Sequence, residues 1–529
     1  MSPAREAQGI IASDGLFCGP VVRLDVPRGI RPASGNREVE RDVLQEALEQ
    51  AVAGVASLIE GSTGDAADML AFQLAMLEDD ELKAPVLAQI ATGAAADVAW
   101  CRRLDDEIVG YEASPDEYFR ARAADLRDIR DRVLRLMLGE ETEIATAGAV
   151  LLGEDIAPTR FLEADWSRGG AVALSGGSTT SHVAMLARAR GVPMLVNLGQ
   201  AALGEAREAI VDAIEGRVVL DPQAPAKAQF EARAKDLAVQ QAREAAFLLK
   251  PARLKNGQGI SLLINVAGTG DLDHLDPACC DGIGLMRSEF LFADGRPLPD
   301  EEQQYRAYRR IVEWAAGRPV TIRTLDIGGD KPVAGLTPEG ERNPFLGLRG
   351  VRLTLARPEI FRVQLRALAR AAVHGDLKIM IPMVTVPEEI DSSAQLLDQC
   401  VADLRREGTA CRRPPLGIMV EVPAVAVCPE LFTAAAFFSI GSNDLTQYVT
   451  AASRDEPGVA SLGDAGHPAV LRLISSVAQF GRNTGMPVSL CGDMASDTRH
   501  LRSLVSAGLT SISVAPSRVG RVKAALAEI

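Results

Sequence analysis

Between Pro251 and Ile529 the chain repeats one device eight times. Short apolar runs fall at Ser261–Val266, Gly282–Leu285, Val320–Arg323, Lys378–Ile381, Gly417–Val420, Phe437–Ile440, Pro487–Leu490 and Ser511–Val514. Most are separated by amphipathic stretches such as Glu301–Ala316 and Glu359–Val373. Runs of this length read as strands. Eight strand–helix units within this length predict a (β/α)8 TIM barrel. That architecture constrains function as well, because the C-terminal ends of all eight strands open onto one mouth.

The residues that follow each run therefore form a set. After the second run come Met286-Arg287-Ser288-Glu289, and the third closes on Arg323 and continues to Asp326 and Lys331. Glu421 ends the fifth, Gly441-Ser442-Asn443-Asp444 the sixth, and Cys491-Gly492-Asp493 follow the seventh. Taken singly, an arginine or glutamate at a strand end is as well explained by a neighbouring salt bridge. Two arginines, a lysine, an amide and several carboxylates at one end are not something stability demands. They are the inventory for a small polyanion held with a hard metal. Mg2+ takes oxygen ligands, usually one or two carboxylates, with water and substrate phosphate completing the shell. Glu421 and Asp444 are the expected pair, and Arg287 and Arg323 can fork onto phosphate oxygens.

The first half of the chain has a different texture. Short strands punctuated by glycine occupy Gly9–Asp25. From Arg37, apolar residues recur at three- and four-residue spacing (Val39, Val43, Leu44, Ala47, Leu48, Ala51), and the pattern returns around Ala67–Leu77, Ala84–Leu104 and Glu117–Leu138. This predicts a four-helix bundle over 37–138. Strand texture resumes after Gly148, so residues 1–36 and 139–222 are expected to form one α/β domain with the bundle inserted. Residues 223–250 read as a linker helix, and 251–529 as the barrel.

The 529 residues carry 71 acidic and 56 basic side chains, a formal charge of −15. The bundle segment alone has 22 Asp/Glu against 11 Lys/Arg. So acidic a surface argues against nucleic acid and suits a basic protein partner, although a merely solvated helical face would have the same composition. No run is long and apolar enough for a membrane span, and the first residues lack a signal-peptide pattern. Eight scattered cysteines without a Cys-x-x-Cys, beside five histidines, fit reduced thiols in the cytoplasm.

One histidine has a distinctive setting. Gly176-Gly177-Ser178-Thr179-Thr180-Ser181-His182 runs into Val183-Ala184-Met185-Leu186-Ala187-Arg188, which places His182 in the first turn of a helix with Thr180 or Ser181 as the cap. The positive helix end disfavours imidazolium and would accommodate an anion attached to the ring. Spacing alone leaves both readings open, a packed histidine or a nucleophile, and favours the packed one.

At these residues the chain resembles the phosphoenolpyruvate-utilising enzymes. Thr180-Ser181-His182 with Ala187-Arg188 and Gly191-Val192-Pro193 is similar to their phosphohistidine motif. Gly282 through Phe292, Arg323 through Lys331, Asn343 through Arg349, Gly417 through Pro423, Phe437 through Tyr448 and Cys491-Gly492-Asp493 match in order. The inserted bundle and the lack of an ATP-binding domain point within that family to enzyme I of the phosphoenolpyruvate:sugar phosphotransferase system. The resemblance implies that His182 is phosphorylated, that Arg287, Arg323 and Lys331 hold phosphate, and that Glu421 and Asp444 bind Mg2+. Asn443, Arg349 and Arg454 would complete the substrate pocket, and Cys491 would protonate the enol carbon as pyruvate forms. It further implies a swivelling histidine domain, a bundle that docks the carrier HPr, and a homodimer through the barrel. Three positions depart from the family pattern: Ser178 stands for a glycine, Gln73 for a histidine in the bundle, and Arg342 for an acid before Asn343. A dikinase or synthase relative would need an ATP-grasp domain, for which 36 residues before the bundle leave no room. A regulatory phosphotransferase would be expected to carry a sensory domain.

Overall fold

The computed structural model describes the chain except residues 1–4, 25–32, 63–64, 115–116, 140–145, 180, 200–204, 274, 293–297, 329–332, 334, 339 and 454–455. The protein comprises two compact units, Met1–Leu237 and Ala238–Ile529.

In the first unit, strands β1 (Arg5–Gln8), β2 (Ile10–Ser13), β3 (Leu16–Leu24), β4 (Val150–Gly153), β5 (Ala171–Leu174), β6 (Met194–Val196), β7 (Glu208–Asp212) and β8 (Arg217–Leu220) form one sheet. Its order is β1-β8-β7-β3-β4-β5-β6-β2. β3 and β4 pair in parallel, Val21 opposite Val150, although more than a hundred residues separate them in sequence. The helices between them are thus an insertion. They are α1 (Arg37–Glu60), α2 (Asp65–Glu78), α3 (Asp80–Ala91), α4 (Ala96–Glu112) and α5 (Glu117–Leu138).

The expected three- and four-residue spacing is what α1 buries: Leu44, Ala47, Ala51 and Val55 face the bundle core with Trp100, Leu104, Leu126 and Val133. Asn36 starts the helix, its side chain accepting from the Glu38 amide at 3.0 Å. The helix count differs from expectation. The stretch Ala84–Leu104 reads as one helix by periodicity, but it is two, because the chain breaks at Thr92–Ala95 where Gly93 takes φ +107°. A periodic apolar pattern can continue across a turn when both helices face the same core.

Gln73, the bundle residue that departs from the family pattern, is fully buried and donates to Asp128 Oδ2 at 3.1 Å. Asp128 also accepts from the Thr159 amide at 3.0 Å and from Thr159 Oγ1 at 2.6 Å. Thr159 opens α6 (Pro158–Glu163) in the α/β part of the unit. Position 73 therefore serves the join between bundle and sheet, where its amide donates to the Asp128 carboxyl.

The second unit contains β9 (Ser261–Val266), β10 (Ile283–Arg287), β11 (Val320–Arg323), β12 (Leu377–Ile381), β13 (Leu416–Val420), β14 (Phe438–Gly441), β15 (Val488–Cys491) and β16 (Ser511–Val514). They close into a parallel barrel in sequence order, with β16 returning to β9. All eight expected runs became strands, within two residues at either end. The fold-class expectation, an α/β unit with an inserted helical bundle followed by a (β/α)8 barrel, is borne out. The helix α8 (Ala224–Phe247), expected as part of a separate linker, runs through the division between the units. Its last turns pack on the barrel's final helix, where Gly520 has no side chain to clash with the Glu244 carbonyl. No helix among the described residues is long and apolar enough to cross a membrane.

Asp128 is the first test of this packing. Asp128→Ala strands the Thr159 amide and the Gln73 amide in the interior, which should lower the unfolding free energy of the first unit by about 2–3 kcal/mol. A urea melt of the full chain, followed by Trp fluorescence, measures it; an unchanged transition would show that the join is held elsewhere.

Candidate active site

Parallel strands in register deliver side chains to one rim. Arg287 ends β10 and Arg323 ends β11, and the two are direct register partners. Glu421 follows β13. Asn443 and Asp444 lie in the first turn of the helix Ser442–Thr450 after β14, and Cys491 ends β15 opposite Gly441. These side chains line one pocket together with Asp326, Arg349, Met419, Gly492 and Leu285. Three of the lining residues, Leu285, Met419 and Cys491, belong to a buried apolar cluster that also contains Met380 and Phe437. Lys331 and Arg454 lie outside the described residues.

Two glycines permit this arrangement. Gly492 takes φ +110°, and a Cβ there would clash with Ser442 Oγ and crowd Asn443 Oδ1, so only glycine lets β15 exit beside the β14 turn. Gly350 takes φ +57° with a Cβ position 2.9 Å from the Met383 side chain, and this brings Arg349 inward from outside the barrel strands.

Charge holds the rim. Arg349 is buried and forks onto Asp326, Nη2 to Oδ2 at 2.9 Å and Nε to Oδ1 at 3.2 Å. Its Nη1 reaches Asp444 and the Tyr448 hydroxyl, both at 3.3 Å. Arg323 is held by Asp326 and by Glu289 Oε1, each at 3.0 Å. Burial alone would lower the pKa of both guanidiniums, but the surrounding carboxylates outweigh it and raise them. Glu421 Oε1 accepts from the Met383 amide at 2.6 Å. Burial, reinforced by Asp444 and Asp326, pushes Glu421 up to about 8. Burial also raises the Cys491 thiol.

Glu289, Asp326 and Tyr448 were not assigned by sequence reading. All three stand inside the motifs quoted above, but a counter-ion's role depends on which arginine it faces, and spacing carries no trace of that.

Four carboxyls (Glu289, Asp326, Glu421, Asp444) face three guanidiniums (Arg287, Arg323, Arg349), so with all four ionised the described rim would be short of positive charge, the conflict that, after burial, pushes Glu421 up. Glu289 Oε2 is buried without a hydrogen-bond partner. A divalent cation fits this donor set: it would reverse the charge deficit and draw Glu421 into its ionised form. Among the described residues no three His, Cys, Asp or Glu side chains converge to encage an ion, so a metal here would be held by Glu421 and Asp444, completing its shell from ligand and water.

His182 is in the first unit. It opens α7 (His182–Arg190), and Ser181 is the cap, its Oγ accepting from the Ala184 amide at 3.2 Å. Thr180, the alternative cap, lies outside the described residues. His182 is half-buried and within electrostatic reach of Asp125 in the bundle. The Ser178 departure is benign here: among the described residues of the turn only Gly177 takes a left-handed φ, +89°, and Ser178 contributes its carbonyl to the Ser181 amide at 3.3 Å.

A barrel whose mouth gathers arginines and oxygen ligands, preceded by a helix-start histidine in an α/β unit, defines a phosphoryl-handling enzyme. Comparison with known proteins narrows this. The PEP-utilising enzyme family matches in three parts: its PEP-binding domain over residues 241–529, its N-terminal domain over 8–122 and its mobile domain over 145–216. The chain belongs to this family, which requires a divalent metal. Among its relatives is the phosphoenolpyruvate-protein phosphotransferase of Geobacillus stearothermophilus, 35% identical over 98% of this chain and 93% of that protein. That of Bacillus sp. (strain S) is 34% identical over the same shares. The Haloferax volcanii protein of the same name is 39% identical over 77% of this chain and 72% of its own length.

Gly492→Ala tests the rim geometry. The positive φ and the contact with Ser442 should cost about 1–3 kcal/mol, seen as a lower melting temperature with the barrel fold retained by circular dichroism. An unshifted melt would mean that the β15 exit adapts without strain.

Proposed function

We propose that this protein is a phosphoenolpyruvate-protein phosphotransferase: it moves the phosphoryl group of phosphoenolpyruvate to its own His182, then to a histidine of HPr or an HPr-like carrier, and releases pyruvate. One observation carries the reading: Arg287, Arg323 and Arg349 share a single pocket with Glu421, Asp444 and Cys491. The relatives named above, which span nearly the whole chain, support it.

In this reading the three arginines, with Lys331 and Arg454, bind the phosphate and carboxylate of the substrate. Fixed guanidiniums already held by Asp326 and Glu289 need little reorganisation as charge shifts during transfer. Asn443, oriented by its paired hydrogen bonds to Asp493 at 2.9 and 3.0 Å, donates to the substrate. Mg2+, the divalent ion we assign to Glu421 and Asp444, would neutralise phosphate charge when bound. His182 attacks phosphorus from the start of α7, and the helix end stabilises the phosphoryl group it receives. Cys491 gives a proton to the enolate carbon, the step that converts enol to ketone.

The domain reading follows the same logic. Residues 1–36 and 139–222 carry the histidine on a unit that swivels, 37–138 dock the carrier, and 251–529 bind phosphoenolpyruvate. The acidic bundle, with Leu87, Val98 and Val109 exposed on α3 and α4, suits a basic carrier with an apolar contact face. A homodimer through the barrel is supported by the exposed Val427 and Leu431. All eight cysteines are free, in keeping with the cytoplasm, where phosphoenolpyruvate is made.

Incubation with 32P-labelled phosphoenolpyruvate and Mg2+ should yield an acid-labile, base-stable phosphate that mass spectrometry maps to His182 and that His182→Ala abolishes. Label retained in that variant would sink the assignment. Glu421→Ala should lose metal-dependent labelling by at least about a hundredfold with the barrel fold retained by circular dichroism; wild-type labelling in excess chelator would refute the metal site.

A further inference from the structure

One buried polar group at the site has no role in the reaction as described so far. Ser439 lies on β14 and is fully buried. Its Oγ is 3.5 Å from Cys491 Sγ on the adjacent strand β15, and this is its one side-chain hydrogen bond among the described residues. The surroundings are apolar, with Leu285, Met380, Met419 and Phe437 forming one cluster with Cys491. A hydroxyl in such a place costs stability compared with the methyl of alanine unless it is bonded, so the sulfur is what justifies the serine.

The bond can run in two directions. Were the thiol the donor, its proton would point into the barrel at Ser439 and away from the pocket that Cys491 lines. With the hydroxyl as donor, a sulfur lone pair is occupied and the S–H is left to turn toward the mouth. We propose that Ser439 is a positioning residue, whose hydroxyl donates to Cys491 Sγ and so fixes the direction from which the thiol delivers its proton.

This rests on Cys491 being the acid. When the P–O bond of phosphoenolpyruvate breaks and the phosphoryl group leaves for His182, an enolate remains. Its oxygen electron pair forms the C=O bond, the C=C pair takes the thiol proton at C-3, and the S–H bonding pair stays on sulfur as thiolate. The Ser439 hydrogen bond then becomes charge-assisted and stronger, until water returns a proton to sulfur. The same hydroxyl opposes the upward push that burial exerts on the thiol.

The test uses the full-length protein with Mg2+ and a phosphocarrier, phosphoenolpyruvate stereospecifically deuterated at C-3, and tritiated water, reading the chirality of the pyruvate methyl group. Ser439→Ala should lower kcat about five- to tenfold, the scale of one lost hydrogen bond, leave KM for phosphoenolpyruvate within about twofold, and lose most of the methyl chirality. Ser439→Thr, which keeps the hydroxyl, should retain chirality. Wild-type chirality in Ser439→Ala would overturn the proposal, and so would equal loss in the Ala and Thr variants, since packing and not the hydroxyl would then be responsible. Cys491→Ala separates the two levels. If that variant keeps selective protonation, the acid reading fails and the Ser439 role falls with it. If it loses selectivity while Ser439→Ala keeps it, the role of Ser439 alone is wrong.

Discussion

Asp326 accepts from two arginines that come from different parts of the barrel, Arg323 at the end of β11 and Arg349 from the segment before the helix Val351–Ala356. Both guanidiniums and the carboxylate are almost entirely buried. Ions withdrawn from water to this degree are tolerated only when each has a partner in good geometry. Asp326 and Glu289 supply it while no substrate is bound, and their presence keeps the arginines aimed at the pocket. Everything the mouth can do depends on that arrangement: without the acids, the arginines would swing to solvent or repel one another, and without the arginines, the acids would leave uncompensated buried charge.

The same cluster explains why the rim needs further positive charge. Its acids exceed its described arginines, and Glu421 sits where burial and two neighbouring carboxylates oppose ionisation. A cation held by Glu421 and Asp444, as we propose, would resolve that conflict locally, and an anionic substrate would satisfy the arginines. Metal and substrate would thus each create the conditions for the other. Below this polar rim lies the apolar cluster to which Cys491 belongs, and in the proposed mechanism the buried Ser439–Cys491 hydrogen bond sits there beside the carbon that takes the proton.

The first unit is organised by a comparable device. Asp128 gathers Gln73 from the bundle and Thr159 from the α/β part, tying an inserted domain to its host through one side chain. That gives the family departure at Gln73 a physical meaning that sequence comparison could not supply. The side chain at this position is engaged inside the protein. Likewise Ser178 is harmless because, among the described residues of its turn, only Gly177 takes the left-handed region.

What the amino-acid sequence determined by itself was the set of elements and the end of the barrel at which the charged side chains gather. Apolar runs of strand length, spaced by amphipathic stretches, leave few other ways to bury their surface, and strand direction then dictates that Arg287, Arg323, Glu421, Asp444 and Cys491 share a rim. Periodicity also found the bundle, but merged α3 with α4, because it reports which face is buried and not whether the axis turns. Only the tertiary structure decided the pairings: Asp326 with Arg349, Glu289 with Arg323, Tyr448 with Arg349, Ser439 with Cys491. Each joins residues that a local pattern cannot relate, since a hydrogen bond depends on distance and angle in space. Whether a buried charge is a cost or a tool is settled by the neighbour it meets there.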